Sequence, residues 1–175
     1  MTIKGFDSDR YNEHDQIIID IVNDINANKE TVYGVTKEQA TGIPDLDPRL
    51  VKAWMIQETG GRAKDSKDAW EIDPLQIKVP GDCGRWKSKL GIGSSAPASE
   101  NTGELKKNIR AGIIWMVRKG FGFSGQPPKN RVAATFDGLS TALNRYGPKK
   151  KRPFYGEQII KRFTNRKEIV PIEKK

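Results

Sequence analysis

The chain is poor in the residues on which much enzyme chemistry depends. Its 175 residues include one cysteine, Cys83, and one histidine, His14. A lone cysteine excludes an internal disulfide and a Cys-rich zinc module, and a lone histidine excludes a two-histidine metal site. No apolar run approaches the ~18 residues of a membrane span, so no membrane span is expected. The opening residues, MTIKGFDSDR, lack the basic start, apolar stretch and small-residue cleavage site of a secretory signal. The expectation is a soluble protein made in the cytoplasm without a signal peptide, dependent on another route if it acts elsewhere. Chemistry should rest on carboxylates, hydroxyls and amides, with no cofactor and no metal called for.

What is present suits one compact domain. The chain is 35% apolar and 30% charged, and at this length folding buries about 70% of the surface of the unfolded chain. Charge is unevenly placed: residues 1–50 carry −5, residues 51–140 carry +6, and residues 141–175 carry +8, for a net +9. The run Lys149, Lys150, Lys151 and Arg152, followed by Lys161, Arg162, Arg166 and Lys167, would favour a polyanion such as nucleic acid, anionic lipid or bacterial cell wall. Nothing places aromatic residues between these charges at the spacing of a base-stacking platform.

Periodicity predicts a mainly α protein. Ile17, Ile18, Ile21, Val22 and Ile25 trace one face of a helix over 12–26. Residues 29–46 read as a connection with at most a short helical turn. Asp47-Pro48 is an N-cap followed by proline at the first helical position, opening a helix that runs to Thr59 and stops at Gly60-Gly61. Residues 62–103 are broken by prolines and glycines and read as a long irregular insertion with room for a small β-hairpin. Asn101 and Glu104 have capping-box spacing before a helix through Leu105, Ile109, Gly112, Ile113 and Met116 to Gly120. Val132, Phe136, Leu139 and Leu143 predict a helix ending at Gly147-Pro148, and Pro153 opens a last one through Ile159, Ile160 and Phe163. No internal repeat occurs.

The helix from Pro48 carries the most informative chemistry. Leu50, Trp54 and Glu58 are spaced by four, which sets the carboxylate one turn beyond the tryptophan and near the apolar stripe. Burial beside Trp54 and the negative end of the helix dipole should both raise its pKa, as a general acid at neutral pH requires.

Four segments, in order, carry a resemblance. Gln57-Glu58-Thr59-Gly60-Gly61 resembles the Glu-Ser motif of soluble lytic transglycosylases and the wider lysozyme-like superfamily, in which a helix ends at the catalytic Glu. Pro74-Leu75-Gln76-Ile77 is similar to the family's Gly-Leu-Met-Gln-Ile segment lining the sugar cleft. Asn108-Ile109-Arg110-Ala111-Gly112 resembles its Asn-Ile-x-x-Gly motif, and Leu143-Asn144-Arg145-Tyr146-Gly147-Pro148, with Tyr155 and Ile159 downstream, resembles the fourth, in which a tyrosine closes the cleft. The match covers about residues 48–163. Thr59 stands for Ser, Asp73 for Gly, Leu75 for Met, and Tyr146 is followed by Gly rather than Asn; these departures bear on cleft shape and sugar preference.

The resemblance implies a lysozyme-like helical domain over 47–165, with a helical N-terminal extension over 1–46 packed on the core and a basic tail over 166–175. It implies a peptidoglycan glycosidase, a muramidase or lytic transglycosylase, cleaving the β-1,4 bond between MurNAc and GlcNAc with Glu58 as general acid/base. Hydrolysis needs a second carboxylate. Asp65, Asp68, Glu71, Asp73 and Asp82 are available, with Glu71 and Asp73 favoured by their nearness to Gln76. Substrate contacts fall to Thr59, Gln76, Asn108 and Tyr146, and Tyr146 could support Glu58 through its phenol. Trp70 and Trp86 could stack on sugars, whereas Trp115 sits among core positions. Glycan strands are the expected partner, with an immunity or inhibitor protein and a delivery apparatus as further candidates. The site of action would be the cell wall or periplasm, reached by release as a phage lysin or by secretion as an antibacterial effector.

Two other readings compete. A non-catalytic basic module would bind wall polymer or nucleic acid. A cell-wall cysteine peptidase would use Asp82-Cys83-Gly84, but it needs a histidine later in the chain, and His14 comes earlier, on the polar side of its helix, where a surface position is expected.

Overall fold

A computed structural model describes residues 1–4, 6, 11–60, 67–77, 102–122, 135–147, 154–164 and 169–170. Among them the chain is mainly helical. α1 (Asp15–Ala27) buries Ile18, Ile19, Ile21, Val22 and Ile25, the stripe read from the sequence. The connection expected over 29–46 holds two short helices, α2 (Lys29–Tyr33) and α3 (Lys37–Thr41). The second starts at a capping box: the Gln39 N–H donates to Thr36 Oγ1 (3.2 Å) and the Thr36 N–H to Gln39 Oε1 (3.0 Å).

α4 (Pro48–Met55) opens as expected, Asp47 Oδ1 accepting the Arg49 N–H at 2.8 Å. Its end differs: the chain continues as a π-helical turn, Ile56–Gly60. α5 (Lys67–Ile72) lies inside the stretch read as irregular. The proposed hairpin, together with Asp82, Cys83 and Trp86, falls outside the described residues.

α6 (Thr102–Gly120) is the central helix, burying Leu105, Ile109, Ile113, Met116 and Val117. Gly112 has a packing reason: a Cβ there would come within 2.7 Å of Leu75 Cδ1, so only glycine lets the Ile72–Ile77 segment lie this close. α7 (Leu139–Tyr146) is shorter than the periodicity suggested. Gly138 precedes it at φ 93°, outside helical space, and Phe136 packs instead against Phe121, ring centroids 5.3 Å apart. α8 (Tyr155–Thr164) packs on α4 and α7.

Two short strands, β1 (Thr2–Ile3) and β2 (Ile169–Val170), pair antiparallel, Ile3 opposite Ile169. They join the first residues to a stretch read from the sequence as tail, an arrangement without local signal.

The expected surface position of His14 is overturned. The residue is 8% exposed, its ring stacks on Trp70 (centroids 5.3 Å) and its Nε2 lies 3.1 Å from the Trp70 carbonyl. Burial lowers its pKa; Glu13 foremost, then the Trp70 carbonyl, Glu71 and Asp15, pull the other way. Its neighbour Asp15 is buried as well, with Oδ1 2.7 Å from Lys52 Nζ and side chains 1% and 0% exposed. Periodicity misses both because the polar edge of α1 is covered by residues distant in sequence: Trp70 over His14, and Ile3 and Lys52 over Asp15.

Candidate active site

The end of α4 sets the geometry. In an α-helix the Met55 carbonyl would accept the Thr59 N–H; the wider turn shifts that pairing by one residue. The Thr59 hydroxyl donates to Met55 O at 2.9 Å, a side-chain bond that ties the turn together. Glu58, in the middle of this turn, is half-buried. π turns recur at functional sites because the added residue re-aims a side chain that a regular helix would hold in line.

A phenol holds the carboxylate. Tyr155, at the start of α8 and fully buried, donates its hydroxyl to Glu58 Oε1 across 97 residues of sequence. The expected donor, Tyr146, is engaged elsewhere: its hydroxyl goes to the Leu75 carbonyl at 2.6 Å, and its ring meets that of Trp54 edge-on, centroids 4.7 Å apart and planes at 89°. The two tyrosines divide the work, one on the carboxylate and one on the loop beside it. A sequence clue to Tyr155 existed, since Tyr155, Ile159 and Phe163 share a face at spacing four.

Ile72–Ile77 forms a tight, internally bonded turn. Asp73 is 3% exposed and its Oδ1 accepts the Ile77 N–H at 3.0 Å. The Asp73 carbonyl accepts the Gln76 N–H (2.9 Å) and Gln76 Nε2 (3.0 Å). Gln76 itself sits at φ 55°, a left-handed conformation unusual for a residue with a Cβ. Asn108 on α6 is completely buried and donates Nδ2 to the Ile72 carbonyl at 2.8 Å, while its Oδ1 has no partner among the described residues. The Trp54 indole N–H, also buried, likewise has none.

The four sequence segments therefore converge. Trp54 and Glu58 meet Tyr146 and Tyr155, Tyr146 reaches Leu75, and Leu75 lies against Gly112. Individual candidates fare unequally. Gln76 and Tyr146 retain partial exposure, whereas Thr59 and Asn108 are buried at 2% and 0% and hold backbone carbonyls, so their observed contacts are internal to the fold. Of the two favoured second carboxylates, Asp73 is enclosed in its turn, and Glu71 is half-buried on α5 where its charge acts on His14. Asp65 and Asp82 fall outside the described residues, as does the side chain of Asp68.

Trp70 is removed from the sugar-stacking candidates. It is 7% exposed, packs edge-on to Tyr11 with centroids 5.1 Å apart, and donates its indole N–H to Glu13 Oε1. Trp115 is buried in α6, with Lys119 Nζ 5.2 Å from its ring centroid. Among the described residues no group of three or more His, Cys, Asp or Glu gathers as metal ligands, and no helix is long and apolar enough to cross a membrane.

Comparison of the chain with protein-family models, with curated proteins and with solved structures gives no match.

Proposed function

We propose that this chain is a peptidoglycan glycosidase of lysozyme-like type, cleaving the β-1,4 bond between MurNAc and GlcNAc with Glu58 as general acid/base. The observation that carries the reading is the half-buried Glu58 in a π turn, its Oε1 held by the buried Tyr155 phenol. With Oε1 oriented, the carboxyl group meets the glycosidic oxygen in one geometry and delivers its proton as the bond breaks. Gln76 and Tyr146 lie on the flanking segments and offer amide and aromatic surface to a sugar.

The route after bond cleavage depends on a second carboxylate. Hydrolysis uses one to activate water or to attack the sugar. Asp73 is enclosed in its turn and Glu71 acts on His14, while Asp65, Asp82 and the side chain of Asp68 fall outside the described residues; a second route needs Glu58 alone. In it Glu58, having given its proton to the leaving oxygen, takes one back from the sugar's own 6-hydroxyl as that oxygen closes on the anomeric carbon. The product is a 1,6-anhydro end, one water lighter than a hydrolytic reducing end.

Purified peptidoglycan tests this directly. Wild type should release glycan fragments whose ends, anhydro or reducing, assign the route, and Glu58→Gln, which keeps the shape and removes the proton, should lose at least about a hundredfold in rate. Turnover near wild type in the Gln variant refutes the assignment. Adsorption of the wild type to the wall without any cleavage would mark a basic binding module instead.

A further inference from the structure

We propose that Asn144 is a positioning residue for the reaction, capping α8 from the neighbouring helix and so holding the Tyr155 phenol on Glu58. The inference rests on the glycosidase reading and extends it to a side chain with no part in that reading. Its starting point is a missing cap. The Phe154 carbonyl accepts the Gln158 N–H at 3.0 Å, the first bond of α8, so Phe154 stands at the N-cap position. An N-cap side chain normally accepts the N–H two or three residues on, and phenylalanine has no acceptor to offer.

Asn144, on α7, supplies one. Its Oδ1 accepts the Gly156 N–H at 2.7 Å, the bond that a local N-cap would make, and its Nδ2 donates to Glu157 Oε1 at 2.9 Å. Both polar ends of one amide thus hold the first turn of α8. Ser140, one turn earlier on α7, donates its hydroxyl to the same Glu157 oxygen at 3.4 Å. The packing is equally specific: a Cβ on Gly156 would strike the Ser140 carbonyl and come within 3.2 Å of Asn144 Cγ, and one on Gly147 would strike the Tyr155 ring. A helix capped by its own chain can slide or tilt on its neighbour without losing the cap; a cap drawn from α7 survives in one placement only. That placement matters because Tyr155, between Phe154 and Gly156, is completely buried and carries the phenol that reaches Glu58 Oε1. Rates are steep in such geometry, a displacement of about 1 Å costing about a hundredfold.

Asn144→Leu keeps the branched shape and removes both polar atoms, whereas Asn144→Asp keeps an oxygen for the Gly156 N–H. On soluble peptidoglycan oligomers, at a temperature where thermal melts show every variant folded, Asn144→Leu should lose about tenfold in kcat with KM within about twofold, and Asn144→Asp should recover most of that loss. The decisive measurement is a double-mutant cycle with Tyr155→Phe. Because Asn144 acts through the phenol, adding Asn144→Leu to Tyr155→Phe should change kcat by less than about twofold. Should Asn144→Leu fail to fold, the shorter Asn144→Ala replaces it in the cycle. Wild-type kcat in Asn144→Leu, no recovery in Asn144→Asp, or the same loss in the Tyr155→Phe background as in wild type overturns the proposal and leaves the Glu58 reading intact. A wild type inert on every glycan overturns both.

Discussion

Replacing Lys52 with methionine tests how the helix carrying Glu58 is anchored. Lys52 Nζ is completely buried and donates to the Ile3 carbonyl (2.9 Å) and Asn12 Oδ1 (2.8 Å), lies 2.7 Å from Asp15 Oδ1, and sits 5.1 Å from the centroid of the Phe6 ring. One ammonium thus ties β1, the approach to α1 and α1 itself to α4. Methionine nearly matches the length and removes the charge, leaving the Asp15 carboxylate buried with the Ile3 N–H (2.7 Å) and the field of the N-terminal ammonium, but without its ion-pair partner. Breaking a buried pair from one side costs about 3–5 kcal/mol. For a chain of this size each kcal/mol moves the melting temperature by about 2–4 °C, so a fall of about 6–20 °C is expected at pH 7.

The pH dependence gives a second, independent signature. Burial already holds the Asp15 carboxyl above its ordinary range, against the pull of Lys52 and the Ile3 N–H; removing Lys52 lifts it further. From the unfolded value near about 3.9 up to the raised folded value, the native chain holds more protons than the unfolded one, so stability falls as pH rises through that window. The deficit of Lys52→Met is therefore complete at neutral pH and shrinks on acidification. Adding Asp15→Asn to Lys52→Met should recover much of it at pH 7. Thermal and urea melts at two pH values measure all of this. A Lys52→Met protein melting within about 2 °C of wild type at pH 7, or a deficit that grows on acidification, refutes the reasoning.

Three further outcomes are expected. His14 has its pKa lowered by burial, so between the unfolded value near about 6.5 and the folded one the unfolded chain binds more protons, and wild type should lose stability as pH falls through that window; pH-dependent melts of His14→Gln should be flatter there. Gly156→Ala drives a Cβ into the Ser140 carbonyl, which should cost about 1–3 kcal/mol in urea melts and depress lysis by displacing Tyr155; unchanged stability would contradict the close packing of α7 and α8. Exchanging Lys149, Lys150, Lys151 and Arg152 for Gln should weaken adsorption to intact sacculi and flatten its salt dependence, since charge–charge attraction reaches about 10 Å at 0.1 M salt, while short-glycan cleavage stays near wild type; unchanged adsorption across a salt series would remove the run from wall binding.

Features that depend only on neighbours within a turn or two are legible in the chain before it folds. The Ile18–Ile25 stripe defines α1, Asp47-Pro48 starts α4, and the run from Leu105 to Met116 defines α6, because caps and amphipathic spacing are local physics. Glu58 stands out for the same reason, four residues beyond Trp54 near a helix end. Thr36 and Gln39, at capping-box spacing, start α3 by the same local physics. Tertiary structure decided the rest. No local rule says whether Tyr146 or Tyr155 reaches Glu58; the packing of α8 on α4 and α7 does, giving the carboxylate to Tyr155 and the Leu75 carbonyl to Tyr146. Nor does any local rule bury His14 and Asp15, which are polar positions on an amphipathic helix until Trp70, Ile3 and Lys52 arrive from 56, 12 and 37 residues away. A buried polar group is tolerated only where its partner is already in place, and that partner comes from elsewhere in the chain.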